Sequence, residues 1–168
     1  MINKFFKIRA TGSYVPRKVV SNKDLEKIVA TSDEWIVENL GIRERHIADK
    51  NECTSDLASK AGIEAIKNAG ISVEKIDLII VATATPDRLS PSTACIVQEK
   101  LGAFNATAFD ISAVCSGFLF GLSVASQYLD SKTYNNILLI GADTFSKITN
   151  PKSRDSVYFG DGAGAALL

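Results

Sequence analysis

Two largely apolar runs, "IDLIIVATA" (76–84) and "NILLIGADTF" (136–145), limit the fold more than any other feature of the chain. A strand that is apolar at nearly every position is usually covered on both faces, which argues against a sheet with one wet face. Helical patterns supply the cover. "CTSDLASKAGIEAIKNAG" (53–70) carries Leu57, Ala61 and Ile66 on one broad face and ends at Gly70. "TACIVQEKLG" (93–102) precedes a strand at "ATAFDIS" (106–112), and "CSGFLFGLSVASQYL" (115–129) follows it. This βαβαβ rhythm predicts an α/β fold with a largely parallel sheet between helices and right-handed crossovers. Sites in such sheets gather at the C-terminal ends of the strands.

The ends of the chain add to this frame. "FKIRATGSYVP" (6–16) reads as an opening strand, and Ser21 and Asp24 stand at capping-box spacing before a predicted helix "NKDLEKIVA" (22–30). A second helix, "SDEWIVENL" (32–40), has Asp33 and Glu34 where carboxylates offset the helix dipole and Gly41 just past its end. "SVYFGDGAGAALL" (156–168) closes the sequence in an apolar strand with no covering helix after it, which predicts that a larger protein continues past Leu168. Within it, Gly160-x-Gly162-x-x-Ala165 satisfies the loose dinucleotide pattern, but no helix follows. Asp161 and Gly162 are therefore predicted to form a tight turn between two strands.

No linker or repeat divides residues 1–168, and their number suits one domain. Apolar residues at 46% and charged residues at 23% are the balance of a globular protein. Nineteen basic residues cancel nineteen acidic ones, which argues against nucleic acid or an anionic membrane as a partner. No apolar stretch reaches the roughly 18 residues of a membrane span, and "MINKFFKIRATG" lacks the apolar segment of a secretory signal. A cytoplasmic protein is expected. Cys53, Cys95 and Cys115 are odd in number and widely spaced, and His46 is the single histidine, so neither a disulfide framework nor a metal site is predicted.

Cys115 stands where the strand 106–112 gives way to the apolar helix. That helix is predicted to be buried, with the thiol in a low-dielectric cleft beside unsatisfied helix N–H groups. Desolvation raises a thiol pKa and a helix N-terminus lowers it, while Ser116 and Gly117 leave room for a substrate carbonyl to reach amides that could serve as an oxyanion hole. Free cysteine is also a common core residue, so position alone leaves nucleophile and packing residue both open.

"TSDEWIVENLGIRERHI", "FDISAVCSGF" and "VYFGDGAGA" occur in the order found in β-ketoacyl-acyl carrier protein synthase III, and the chain resembles the N-terminal half of that enzyme family. The resemblance implies a thiolase-like fold, of which this chain is one of two similar βαβαβ halves with a mixed sheet covered by helices. It implies that Cys115 accepts an acyl group from acyl-coenzyme A, and that the acyl-enzyme condenses with malonyl-acyl carrier protein as carbon dioxide leaves. A homodimer is implied when the protein is intact, with no cofactor beyond the coenzyme A thioester. The family's catalytic histidine and asparagine have no match here, and His46 belongs to "GIRERHI", outside that pair.

By the same resemblance, Trp35 and Arg154 hold the coenzyme A adenine between an indole and a guanidinium, and Thr31 is a further nucleotide contact. Asn39 stands where some relatives have an arginine. Phe145 and Phe159 match positions lining the acyl pocket, although core packing is an equally physical account of both. Leu89 and Ser90 lie in a loop that reaches across the family's dimer, where Ser90 leaves room for primers longer than acetyl. The alternatives are a related condensing enzyme of a specialised acyl pathway and a non-catalytic dimerisation or acyl-binding module.

Overall fold

The computed structural model describes residues 6–168; the segment read above for a secretory signal begins in residues 1–5, outside the described residues. A five-stranded sheet has the order β1-β7-β6-β4-β5, built from β1 (Ala10–Tyr14), β4 (Leu78–Ala82), β5 (Thr107–Ile111), β6 (Ile137–Thr144) and β7 (Asp161–Leu167). β4 pairs in parallel with both β5 and β6, whereas β7 runs antiparallel to β6 and β1. The sheet is therefore mixed, as the resemblance implied, and not largely parallel. An apolar run does not encode its direction, which is decided by how each connection returns.

Side chains of β4 and β6 divide by the two-residue period of a strand. Ile79, Val81, Leu138 and Ile140 pack on one side, beneath α3 (Thr54–Ala69) and α4 (Thr93–Leu101). Leu78, Ile80, Ile137 and Leu139 pack on the other, beneath α5 (Gly117–Asp130). Each fully buried aliphatic side chain contributes about 1.5–3 kcal/mol, so the two layers hold the sheet from both faces. The step from β4 to β5 and the return step to β6 run in opposite directions across the sheet. Crossovers of one hand then place α4 and α5 on opposite faces, opening a crevice at the C-terminal ends of β4 and β5.

The predicted helix ends are matched at α2 (Asp33–Leu40), where the Ser32 side chain accepts from the Trp35 amide and Gly41 adopts a left-handed φ of 70°. The capping box of Ser21 and Asp24 is also formed, but α1 (Asn22–Leu25) is a single turn, much shorter than the predicted 22–30. A two-stranded antiparallel ribbon of β2 (Lys18–Ser21) and β3 (Glu44–Ile47), not anticipated from the sequence, lies beside the main sheet. The predicted turn at Asp161 and Gly162 is also corrected: both residues belong to β7, and Asp161 pairs with Thr144. Register with β6 outweighs the local turn signal of Gly-Asp-Gly.

Candidate active site

Cys115 follows β5 in a single 3-10 turn, Val114–Ser116, that leads directly into α5. Val114 has φ of 46°, a left-handed conformation unfavourable for a β-branched residue, so the chain turns sharply just before the sulfur. The start of α5 is held close to the sheet, because a Cβ on Gly117 would stand 3.1 Å from that of Ala82 at the end of β4. The thiol thus sits at the crevice between strands whose connections diverge. Ser116, the N-cap, makes no side-chain capping bond to the first turn of α5.

Burial corrects one expectation. α5 buries only its small-residue stripe, Gly117, Gly121 and Ala125, whereas Leu119 is 67% and Phe120 57% exposed, and Cys115 itself is exposed. The first half of the helix has no polar face, but this chain offers it one sheet face, and nothing among the described residues covers the other. Desolvation in a cleft is therefore not a feature of the thiol in this chain.

Trp35 and Arg154 come from elements far apart in sequence and meet, with the Arg154 guanidinium carbon 4.4 Å from the centre of the indole. Thr31, just before α2, has a buried hydroxyl oxygen without a hydrogen-bond partner among the described residues. Asn39, one turn after Trp35, donates from Nδ2 to the Trp35 carbonyl at 2.8 Å. Phe145, directly after β6, and Phe159, before β7, stack with ring centres 4.9 Å apart and planes 16° from parallel. Leu89, at the tip of the loop after β4, is 99% exposed.

Several supporting residues escaped the sequence reading. Arg45 of β3 is buried, and its guanidinium donates to the carbonyls of Val20 and Val157 and to Asn22 Oδ1. Asn22 in turn donates to Asp33 Oδ1 and the Ile42 carbonyl, so this arginine ties the Arg154 segment to the start of α2. Burial pushes its pKa down, yet a guanidinium keeps its charge. Asp110 of β5 accepts from the Thr93 and Ala94 amides at 2.8 and 2.7 Å, satisfying the positive end of α4. Asp143 Oδ1 accepts from the Ala84 and Thr85 amides and the Thr83 and Thr85 hydroxyls, anchoring the root of the Leu89 loop. These bonds join residues 11 to 112 positions apart, beyond the reach of local pattern.

His46 lies in β3 with Nδ1 2.5 Å from the Pro16 carbonyl oxygen, to which it donates. Among the described residues no three His, Cys, Asp or Glu side chains converge as metal ligands would, and no helix is long and apolar enough to cross a membrane.

A cysteine at the junction of strand and helix, an indole-guanidinium pair and a stacked phenyl pair thus share one structure with the three sequence motifs. The family model of 3-oxoacyl-[acyl-carrier-protein (ACP)] synthase III matches residues 109–168. Proteins named beta-ketoacyl-[acyl-carrier-protein] synthase III from Caldanaerobacter subterraneus and Clostridioides difficile are 57% and 55% identical over 162 residues, 96% of this chain and 49% of theirs. The chain belongs to the β-ketoacyl-[acyl-carrier-protein] synthase III family. It spans about half the length of the curated relatives it matches. The crystal structure of the synthase III from Aquifex aeolicus matches with a TM-score of 0.92 at 49% identity, over 96% of this chain and 52% of that protein. The priming β-ketosynthase of the R1128 polyketide pathway matches with the same score at 35% identity, over 96% of this chain and 48% of its own. The mixed sheet between helical layers is accordingly the thiolase-like fold of this family.

Proposed function

We propose that this chain carries the acyl-transfer site of a condensing enzyme that starts fatty acid synthesis. Cys115 attacks the thioester carbonyl of acyl-coenzyme A, a carbon-sulfur bond forms, and coenzyme A leaves as the thiol, taking up a proton. Malonyl-acyl carrier protein then loses carbon dioxide, and the resulting carbanion displaces the Cys115 sulfur from the acyl carbonyl. Division into two steps gives ping-pong kinetics. The observation that carries the reading is the placement of Cys115 on a strained turn at the C-terminal end of the sheet, beside first-turn amides of α5 able to hold an oxyanion.

In this reading the Trp35 and Arg154 pair opens to admit the adenine between its two planes, with Thr31 as a further contact. Phe145 and Phe159 form a wall of the acyl pocket, and Ser90 leaves space for primers longer than acetyl. The condensation half of the cycle uses a histidine and an asparagine supplied from outside these 168 residues. The intact enzyme is a cytoplasmic homodimer that needs no cofactor beyond its thioester substrate. Incubation with radiolabelled acetyl-coenzyme A should label the chain covalently and leave Cys115→Ser unlabelled; equal label in both refutes the assignment.

A second reading, a dimerisation module without catalysis, draws on β5 at the edge of the sheet and on the exposed Leu119 and Phe120. Self-association with no acyl transfer to Cys115 would favour it.

A further inference from the structure

We infer that Asp161 is a positioning residue for the phenyl pair Phe145 and Phe159, and that through this pair it sets which acyl chains the site accepts. The inference rests on the reading of the pair as an acyl-pocket wall. Asp161 is 5% exposed, and its carboxylate joins three segments. Oδ1 accepts from the Ser146 amide at 2.9 Å, and Oδ2 accepts from the Ser146 hydroxyl at 2.5 Å and from the Ala48 amide at 2.7 Å. Ser146 directly follows Phe145, Phe159 lies two residues before Asp161, and Ala48 directly follows β3.

The place of these bonds in the sheet explains what they do. The ladder between β6 and β7 ends at the pair Thr144 and Asp161, and both phenylalanines lie just past it. Beyond the ladder the two segments separate, and the Asp161 carboxylate crosslinks them where the rings begin. Gly160 is pressed against β3 as well, since a Cβ there would stand 3.0 Å from that of Arg45. A carboxylate suits the position because all three partners are donors, and an amide would turn an NH2 group toward one of them.

Beside Phe159 is a cavity of about 230 Å³ whose lining includes Ser146, Phe159, Val20, Leu25, Ile28 and Pro151. Release of Ser146 from Asp161 lets Phe159 move toward this space, which widens the acyl side of the wall. Ser146→Ala removes one of the three bonds and keeps both backbone bonds, so it tests positioning without unfolding the junction. Ser146→Thr keeps the hydroxyl, and the cavity has room for its methyl group.

The test compares acyl transfer to Cys115 from acetyl-, butyryl- and hexanoyl-coenzyme A, followed by intact mass, in the unaltered chain, Ser146→Ala, Ser146→Thr, Asp161→Asn and Phe159→Ala. Ser146→Ala and Asp161→Asn should raise the hexanoyl-to-acetyl rate ratio by about tenfold, the scale of a methylene-sized change in an apolar pocket, and Ser146→Thr should restore it. An unchanged ratio in these variants beside a shifted ratio in Phe159→Ala overturns the role of Asp161. An unchanged ratio in Phe159→Ala overturns the pocket reading itself, and the inference with it. Ring resonances of Phe145 and Phe159 in the phenylalanine-labelled chain give a readout independent of transfer: their stacking shifts should diminish in Ser146→Ala, and identical shifts refute the clamp.

Discussion

Gly121→Ala places two effects of opposite sign on the helix that carries Cys115. Alanine in a helix interior is favoured over glycine by about 1 kcal/mol, so propensity alone predicts a more stable chain. The added Cβ, however, would stand 2.5 Å from Leu139 Cδ1, about 1 Å short of van der Waals contact. Leu139 is fully buried in β6 between Ile80 and Ala166 of the neighbouring strands, which leaves its side chain little freedom to yield. Overpacking typically costs about 1–3 kcal/mol, and this confined contact belongs at the upper end, giving a net loss of about 1–2 kcal/mol. Leu139→Val removes the obstructing carbon, and in that background Gly121→Ala should be neutral or stabilising. A urea-denaturation double-mutant cycle should then give a coupling of about 1–3 kcal/mol. Displacement of α5 by even a fraction of an ångström also shifts the turn at Cys115, so acyl labelling should slow in the single variant and recover in the double. Gly121→Ala with stability equal to or above that of the parent would refute the close seating of α5 on the sheet.

Trp35→Ala should weaken coenzyme A binding by about tenfold or more, the scale of base stacking on an aromatic ring, measured by calorimetry; Arg154→Lys should weaken it too, because it keeps the charge and loses the plane. Unfolding of the chain should show an acid-sensitive limb. Burial pushes the Glu52 carboxyl up, but hydrogen bonds from Lys60 and Tyr14 outweigh it and hold the group below its usual 4.5; Asp56, bonded by Lys100, is likewise held below 3.8 against burial. A depressed carboxylate stabilises the fold above its unfolded pKa, and that contribution is lost as pH falls through the folded value. Melting temperature should therefore drop below about pH 4.5, and Glu52→Gln should flatten the drop.

Local chemistry alone placed α2, α3 and α4 within a residue or two, because their caps and terminating glycines are contiguous in sequence with the faces they bury. The same holds for β4 and β6, whose apolar runs announce cover on both sides. The position of Cys115 between strand and helix was also legible, and the motif order identified its family. Tertiary structure decided the rest. The pairing of β2 with β3 joins two four-residue strands separated by twenty-two residues, and neither has a pattern strong enough to signal the other. Asp161 looks like a turn residue in its own segment and becomes a strand residue because β6 supplies its register and Ser146 and Ala48 its donors. The exposure of α5 was decided by the number of apolar layers available to it, not by its composition. Helix caps and apolar runs act over a few residues, whereas direction, register and cover depend on segments that meet only once the chain has folded.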